Sequence, residues 1–313
     1  MFVLVCVSTL SAQQQSGPQA ERNTKLLLER VASGPLLQLE RQVLALQPPH
    51  KDWRIERPSS VAVGPDGVFY VLQRGSDADP VVAFDAQGKV LRSWGKGLYT
   101  IPHSIRVDPE GNVWTVDAGS SQVYKFSPEG QQLLHLDIGE MPEKDGPFRG
   151  ASDIAFAPDG NLIIADGYGN ARILEYTADG RRVREFGEPG SGPGELHLPH
   201  AVAIDQRNII YVGDRENGRI QRFSREGEYI DQWDGLGKTY ALQLDGDTIW
   251  LASHRVDQPN GSPGWIFRLD RDSGKVLGVV ESTGTHSIAV TSAGEPITGS
   301  RPDRILWFRD PTN

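Results

Sequence analysis

Three histidines occupy equivalent positions in a repeated segment and could bind one metal ion together. Six similar segments align so that one position, two residues before an apolar strand residue, holds Ser59, His103, Ser152, His200, Tyr240 and His286. In a closed ring of six repeats, the alternate positions that hold histidine lie about 120° apart at one height. Three neutral imidazoles that converge in this way suit Zn²⁺ with a fourth position open, as in a catalytic site. The alternative is that each histidine merely begins a strand.

Two arginines and a tyrosine are expected beside these histidines. Each repeat begins one strand at the histidine position and ends the next strand at a second aligned position, and antiparallel pairing brings the two positions together. Arg74 and Arg215 occupy the second position in the first and fourth repeats, and Tyr168 lies one place further in the third. Two guanidinium groups beside a metal ion can hold a carboxylate bidentately. Ordinary surface ion pairs for the arginines and a packing role for the tyrosine remain open.

Other polar residues near these positions have simpler interpretations. Asp117, Asp166 and Asp214 recur where the second strand ends, and we expect them to accept hydrogen bonds there. His254 lies at the corresponding place in the fifth repeat and could contact the residues that bind the metal rather than the metal itself. The remaining histidines do not follow the repeat and are interpreted as incidental: His50, His135 and His197.

The elements that position these residues are short strands in a repeat of roughly 45 residues, which predicts an all-β, six-bladed β-propeller. Apolar runs with a period of two are separated by turns such as PDG, PEG, ADG and REG, where Asp and Gly suit a tight connection. The last repeat, which ends at Ile305 to Arg309, shows only three strands. Its fourth strand must come from the N-terminal side, and Lys51 to Ile55 is the best candidate, because such closure removes open sheet edges.

The chain divides into three predicted parts. Residues 1–19 form a leader that resembles a secretory signal, although no Lys or Arg precedes its apolar run, so we expect a secreted or periplasmic protein. Residues 20–50 form a linker with a short helix packed outside the main domain, in which Leu36 to Leu46 is ambiguous between helix and strand. Residues 51–313 form the propeller.

Composition limits the partners and the chemistry. A net charge of −9 and a pI near 5.3 argue against nucleic acid and against an anionic membrane surface. The N-terminal apolar run is too short to span a bilayer. Cys6, the single cysteine, lies in the leader, so disulfides, cysteine nucleophiles and thiolate metal sites are excluded from the mature chain. We expect a monomer that acts on a small-molecule or peptide substrate.

Three segments resemble one family of NHL-repeat propellers, the peptidyl-α-hydroxyglycine α-amidating lyases. They are YTIPHSIRVDPEGNVWTVDAGSSQVYKF, ADGYGNARILEYTADGRRVREFG and LPHAVAIDQRNIIYVGDRENGRIQRF. The resemblance covers about residues 58 to 310, and DGYGNARI and DRENGRIQ are its most specific parts. It implies a zinc-dependent carbon–nitrogen lyase that cleaves an α-hydroxyglycine-type substrate into an amide and glyoxylate. By the same resemblance His103, His200 and His286 are the zinc ligands, Tyr168 is the general base, and Arg74 and Arg215 are catalytic or carboxylate-binding residues.

The chain departs from the family pattern at the last histidine. The family has Met-Pro-His-Asp, whereas this chain has Gly284-Thr285-His286-Ser287. Ser287 replaces an acidic calcium ligand, which makes the family's structural Ca²⁺ doubtful here. Two other classes of function remain as alternatives. One is a non-enzymatic NHL interaction or scaffold propeller, and the other is a metal-dependent propeller hydrolase of the lactonase type.

Overall fold

The computed structural model of the protein describes residues 18–139, 146–260, 262–300 and 304–312. In these residues, six four-stranded antiparallel sheets are arranged as the blades of a β-propeller, as the sequence predicts. The innermost strand of each blade packs beside that of the next blade, and the sixth packs beside the first, so the ring is closed. Most of the predicted leader, including Cys6, lies outside the described residues and stays a prediction.

The first three blades follow one another along the chain. Blade 1 contains β2 (Pro58–Val63), β3 (Phe69–Gln73), β4 (Val81–Phe84) and β5 (Val90–Trp94). Blade 2 contains β6 (Pro102–Val107), β7 (Val113–Asp117), β8 (Gln122–Phe126) and β9 (Gln132–Asp137). Blade 3 contains β10 (Asp153–Phe156), β11 (Leu162–Asp166), β12 (Arg172–Tyr176) and β13 (Arg182–Phe186).

The last three blades follow a short parallel ribbon of β14 (Glu188–Pro189) and β15 (Glu195–Leu196). Blade 4 contains β16 (Pro199–Ile204), β17 (Ile210–Asp214), β18 (Arg219–Phe223) and β19 (Tyr229–Trp233). Blade 5 contains β20 (Lys238–Asp245), β21 (Thr248–His254), β22 (Pro263–Asp270) and β23 (Val276–Thr283). Blade 6 contains β24 (Thr285–Val290), β25 (Pro296–Ser300), β26 (Arg304–Arg309) and an N-terminal strand, β1 (Glu40–Val43).

The strand that completes blade 6 does come from the N-terminal side, but the predicted segment is wrong. Glu40–Val43 pairs antiparallel with β26, from Glu40 opposite Arg309 to Val43 opposite Leu306. The ambiguous segment around residues 36 to 46 is therefore a strand, and the propeller includes part of the predicted linker. Residues 51 to 55 form no strand, and their apolar side chains instead pack into the core between blades 1 and 6.

The core consists of apolar clusters between adjacent blades, because each sheet buries both faces against its neighbours. The turns within the blades have the predicted chemistry: Gly160 and Gly227 have φ values of 86° and 91°, which a side chain disfavours. This packing holds the innermost strands at fixed positions around the axis.

Helix α1 (Pro18–Ser33) is the predicted short helix, although it begins inside the segment assigned to the leader. Its buried residues have helical spacing: Ala20, Asn23, Thr24 and Leu27. Leu27 is fully buried in the cluster between blades 4 and 5, and Arg30 donates to the carbonyl oxygen of Asp234 at 2.7 Å. The helix thus packs on the outside of the propeller, as predicted. Within the described residues, no helix combines the length and apolar character needed to cross a membrane.

Candidate metal centre

Each of the three histidines lies at a β-bulge at the start of an innermost strand. The strand register shifts between Pro102 and Ser104 in β6, between Pro199 and Ala201 in β16, and between Thr285 and Ser287 in β24. A bulge places one extra residue outside the ladder and can redirect its side chain. The residue skipped in each case is the histidine. The sequence alignment located these positions, but the bulge that presents their side chains was not predicted.

The imidazoles of His103, His200 and His286 form a nearly equilateral triangle. Their ring centroids are 4.9, 4.9 and 5.1 Å apart, and one ring nitrogen from each lies within 4.8 Å of the others. The predicted convergence is therefore confirmed. Tetrahedral coordination at typical Zn–N distances would separate such nitrogens by roughly 3.3 Å, so a small inward movement would be enough to hold a metal ion.

A backbone carbonyl of the following blade fixes the orientation of each imidazole. Nδ1 of His103 lies 2.6 Å from the carbonyl oxygen of Ser152, Nδ1 of His200 lies 2.7 Å from that of Tyr240, and Nδ1 of His286 lies 2.7 Å from that of Ser59. A carbonyl can only accept, so each Nδ1 carries the proton and each Nε2 keeps its lone pair. This is the arrangement in which backbone oxygens orient metal-binding histidines.

The electrostatic surroundings keep the three imidazoles neutral. The pKa of His103 lies well below its usual value because burial penalises the cation and because Arg74 is nearby. Burial, Arg215 and the other two histidines lower the pKa of His200. Burial and the proximity of His103 and Arg74 lower that of His286. Neutral imidazoles at neutral pH are what a metal ion requires of these ligands.

The structure places Tyr168 at the centre of this site. Its hydroxyl oxygen lies 3.0 Å from Nε2 of His103 and 2.9 Å from Nε2 of His200. The neighbouring Gly167 permits this approach, because a Cβ there would lie 1.9 Å from the carbonyl oxygen of Pro199. Burial raises the pKa of Tyr168, and the charges of Arg215 and Arg74 partly oppose that effect.

Arg215 is a buried cation held on several sides. Its Nε and Nη2 lie 2.8 and 2.7 Å from the same carboxylate oxygen of Glu216, and both side chains are almost fully buried. Its Nη1 lies 3.5 Å from the hydroxyl of Tyr168, and its guanidinium lies 5.2 Å from the ring of Tyr240. Although burial disfavours the cation, Tyr168, Tyr240 and Glu216 raise the pKa of Arg215 above its usual value.

Arg74 lies near His103 and His286, as the rim argument predicts. Its Nε donates to the carbonyl oxygen of Pro102 at 2.8 Å, and its guanidinium lies 5.4 Å from the ring of Phe148. Arg74 contributes to lowering the pKa of both histidines. All six residues singled out as candidate site residues are therefore close together.

Comparisons with known proteins find similarity to NHL repeats and to proteins named as amidating lyases. The NHL-repeat family model matches residues 196–223. A Caenorhabditis elegans protein named probable peptidyl-alpha-hydroxyglycine alpha-amidating lyase is 29% identical over 73% of this chain and 69% of its own length. This Caenorhabditis elegans protein and two Drosophila melanogaster proteins named peptidyl-alpha-hydroxyglycine alpha-amidating lyase 1 and 2 are homologues of the chain.

Other comparisons give the extent of this similarity. Mouse peptidyl-glycine alpha-amidating monooxygenase is 34% identical over 77% of this chain, which spans 27% of the mouse protein. A solved structure of streptogramin B lyase matches 87% of this chain and 97% of its own with a TM-score of 0.60 at 15% identity. The structural match supports the propeller fold alone.

The aspartates that end the second strands have the predicted structural role. Asp117 accepts from the backbone nitrogens of Thr100 and Ile101 at 2.7 and 2.6 Å. Asp166 accepts from Arg172 at 2.9 Å. Asp214 similarly accepts from Arg219 at 2.8 Å. These carboxylates fix the ends of the second strands through hydrogen bonds to neighbouring backbone nitrogens and arginines.

Three further residues at the site were missed or undervalued in the sequence. Phe148 comes from the connection between blades 2 and 3, where no repeat pattern applies, and its ring lies 5.0 Å from that of Tyr168. Glu216 directly follows Arg215. A charged residue at this position is typical of an exposed turn, but the structure shows that Glu216 is buried. Tyr240 was aligned with the histidines without a role, and its ring lies 4.4 Å from that of His254. His254 is therefore close to the site, as expected, but is not one of the converging imidazoles.

Proposed function

We propose that this protein is a zinc-dependent lyase that cleaves the C–N bond of an α-hydroxyglycine-type substrate to give an amide and glyoxylate. The observation that carries the proposal is the convergence of His103, His200 and His286 on one point, with the hydroxyl of Tyr168 within 3.0 Å of two of them. Homology to proteins named as amidating lyases supports the same reaction class.

The residues fit a zinc ion. Three imidazoles whose Nδ1 atoms are committed to backbone carbonyls offer three Nε2 lone pairs, and the cluster includes no carboxylate. Three protein ligands with an open fourth position are typical of catalytic zinc. When bound, zinc would act as a Lewis acid on the hydroxyl group of the substrate and would add positive charge beside Tyr168.

Tyr168 is suited to move the hydroxyl proton. Its oxygen lies beside the point where the imidazoles converge, so a hydroxyl group held there would be within its reach. The phenolate is the form that can accept the proton, and the nearby charges of Arg74 and Arg215 favour that form against the effect of burial. After this transfer the negatively charged oxygen forms the C=O bond of glyoxylate, the C–N electron pair leaves with nitrogen, and nitrogen takes up the proton that Tyr168 accepted.

The arginines are suited to hold the carboxylate of the substrate. Arg215 is buried and already oriented by Glu216, so little side-chain freedom is lost when it binds an anion. Arg74 brings a second positive charge to the same rim. A carboxylate held between them would place the adjacent hydroxyl carbon close to Tyr168.

The site distinguishes this proposal from the two alternatives. A calcium-dependent lactonase would require a ring of acidic and amide side chains at the axis, where this chain has histidine, serine and tyrosine. In the described ranges, the group of three or more histidine, cysteine or acidic side chains that lie close enough together to hold a metal ion is the histidine cluster. A scaffold propeller has no need of three buried, oriented imidazoles beside a phenol.

We further propose that the physiological substrate is a peptide or small molecule with an α-hydroxyglycine-like end, and that the protein acts as an exported monomer.

The decisive experiment measures glyoxylate. Purified protein with its zinc content determined is incubated with an N-acyl α-hydroxyglycine, and glyoxylate and the amide are quantified together. Equal amounts of both products, abolished in His200→Ala, would support the lyase. Zinc-loaded protein that releases neither product would refute it, and hydrolysis of a lactone by the same sample would favour the hydrolase.

A further inference from the structure

A buried ion pair crosses the central channel below the histidines. Arg106 of β6 reaches Asp153 of β10, with Nε 3.0 Å from Oδ1 and Nη2 2.6 Å from Oδ2. The same guanidinium donates to the carbonyl oxygen of Leu242 at 3.1 Å and to Oε1 of Gln243 at 3.0 Å, both in β20. One side chain therefore connects blades 2, 3 and 5 across the axis.

This ion pair separates two cavities along the channel. A small cavity of about 20 Å³ next to the three histidines is lined by Arg106, Asp153 and Ser287 among other residues. A larger cavity of about 210 Å³ on the other side is also lined by Arg106, together with later residues of the innermost strands. The side chains of Arg106 and Asp153 are 14% and 5% exposed. The guanidinium is thus a fixed positive charge in the middle of the channel.

The groups around this guanidinium are oxygen atoms of the kinds that bind hard cations. They are two carboxylate oxygens of Asp153, one backbone carbonyl and one side-chain amide oxygen. Calcium takes six to eight such ligands, and carboxylate, carbonyl and amide oxygens are the usual ones. Ser104 also points here, since its hydroxyl donates to Oδ1 of Asp153 at 2.6 Å.

The calcium site implied by the family resemblance does not fit this chain. Ser287 offers a neutral hydroxyl, and that oxygen accepts from the backbone nitrogen of Gly299 at 3.3 Å. The nearby carboxylate, Asp153, is already neutralised by Arg106. A divalent ion added to this arrangement would be repelled by the guanidinium of Arg106, which already pairs with Asp153.

We propose that Arg106 occupies a latent divalent-cation site and supplies the axial positive charge that a bound ion would otherwise provide. The protein therefore does not depend on calcium for stability, and removing the guanidinium converts the channel into a calcium-responsive site. This inference concerns the channel and is independent of the reaction proposed for the histidine centre.

The test compares melting temperatures with and without added calcium. Wild type, Arg106→Ala and Arg106→Ala/Asp153→Asn are measured in calcium-depleted buffer and again with millimolar CaCl₂. Elemental analysis is used to check that the metal content of the histidine site is the same in all samples. We expect no calcium shift for wild type. Arg106→Ala should melt roughly 5 to 15 °C lower, because it leaves the Asp153 carboxylate buried without its partner. Calcium at ten times its Kd should then restore roughly 3 to 5 °C, and the double variant should show no such response.

Arg222→Ala is a matched control. Arg222 also pairs with an aspartate through two nitrogens, but Asp231 is 44% exposed and lies on outer strands. This variant should lose little stability and should not respond to calcium. A wild-type protein that gains stability from calcium, or an Arg106→Ala variant that does not, would overturn the proposal. Failure of Arg106→Ala to fold in calcium as well as without it would also count against the proposal, because the ion is expected to replace the guanidinium.

Discussion

Arg215 gives the sharpest test of how the site recognises a substrate. Nε and Nη2 of Arg215 contact Glu216, whereas Nη1 lies 3.5 Å from the hydroxyl of Tyr168, so its N–H groups are beside the histidine centre. If they hold the substrate carboxylate, Arg215→Ala removes a charge-assisted contact of about 2 to 4 kcal/mol. The expected loss in kcat/KM is therefore roughly 30- to 1,000-fold, largely through binding.

The uncharged ester of the same N-acyl α-hydroxyglycine serves as the comparison substrate. For wild type and Arg215→Ala, kcat/KM is measured with the acid and with the ester, which forms a double-mutant cycle between the guanidinium and the carboxylate. The acid should lose most of its advantage in the variant. If acid and ester lose equally, Arg215 does not bind the carboxylate and its role is structural.

Folding must be controlled, because Arg215→Ala leaves the Glu216 carboxylate buried without a cation. Breaking a buried ion pair from one side costs about 3 to 5 kcal/mol of unfolding free energy. The double variant Arg215→Ala/Glu216→Gln removes that unpaired charge and should recover part of the stability while the selective loss on the acid remains. A double variant that regains wild-type preference for the acid would refute the reasoning.

Three other predictions follow from the centre. Elemental analysis should find about one zinc per chain, and His103→Ala should lose both the metal and the activity; a metal-free wild type that turns over the substrate would contradict this. Tyr168→Phe should lower kcat with little change in KM in steady-state assays, and an unchanged kcat would exclude the tyrosine as the base. In the metal-free protein, burial holds the imidazole pKa values below about 6.5, so the unfolded chain binds more protons as pH falls below that value. Denaturant titrations should therefore show stability present at pH 7 and lost on acidification, with a slope of up to about 4 kcal/mol per pH unit if all three histidines contribute.

Much of the fold could be predicted because the repeat register is carried by apolar residues that every blade needs for packing. The closing strand could not be predicted in the same way. All four residues of Glu40–Val43 are exposed, since this strand is the outer edge of blade 6, so it shows no alternation of buried and exposed positions. The segment from Lys51 to Ile55 does contain apolar residues, but Trp53 is buried and Ile55 is partly buried in the core between blades rather than in a strand.

The candidate site was predictable where it follows the repeat and unpredictable where it does not. The repeat register located the histidines and arginines, and antiparallel pairing predicted that they share one rim. In the structure Pro199 lies opposite Asp214, which brings Arg215 beside His200. Phe148 lies in a connection without repeat character. The role of Glu216 depends on burial beneath Arg215, which a single sequence does not reveal.

The alternation of histidines around the ring has a structural reason that the sequence pattern did not disclose. Each of the three imidazoles donates its Nδ1 proton to the backbone carbonyl at the aligned position of the next blade, so three positions hold histidines and three provide acceptors. At two acceptor positions the side-chain hydroxyls contact backbone carbonyls: Ser59 donates to that of Leu72, and Ser152 lies within hydrogen-bond distance of those of Ala165 and Pro199. The third acceptor position holds Tyr240, whose ring lies against His200 and His286. Three histidines that alternate with three acceptors give each imidazole a fixed tautomer and direction. The alternation therefore suits a three-histidine metal centre in a six-bladed ring.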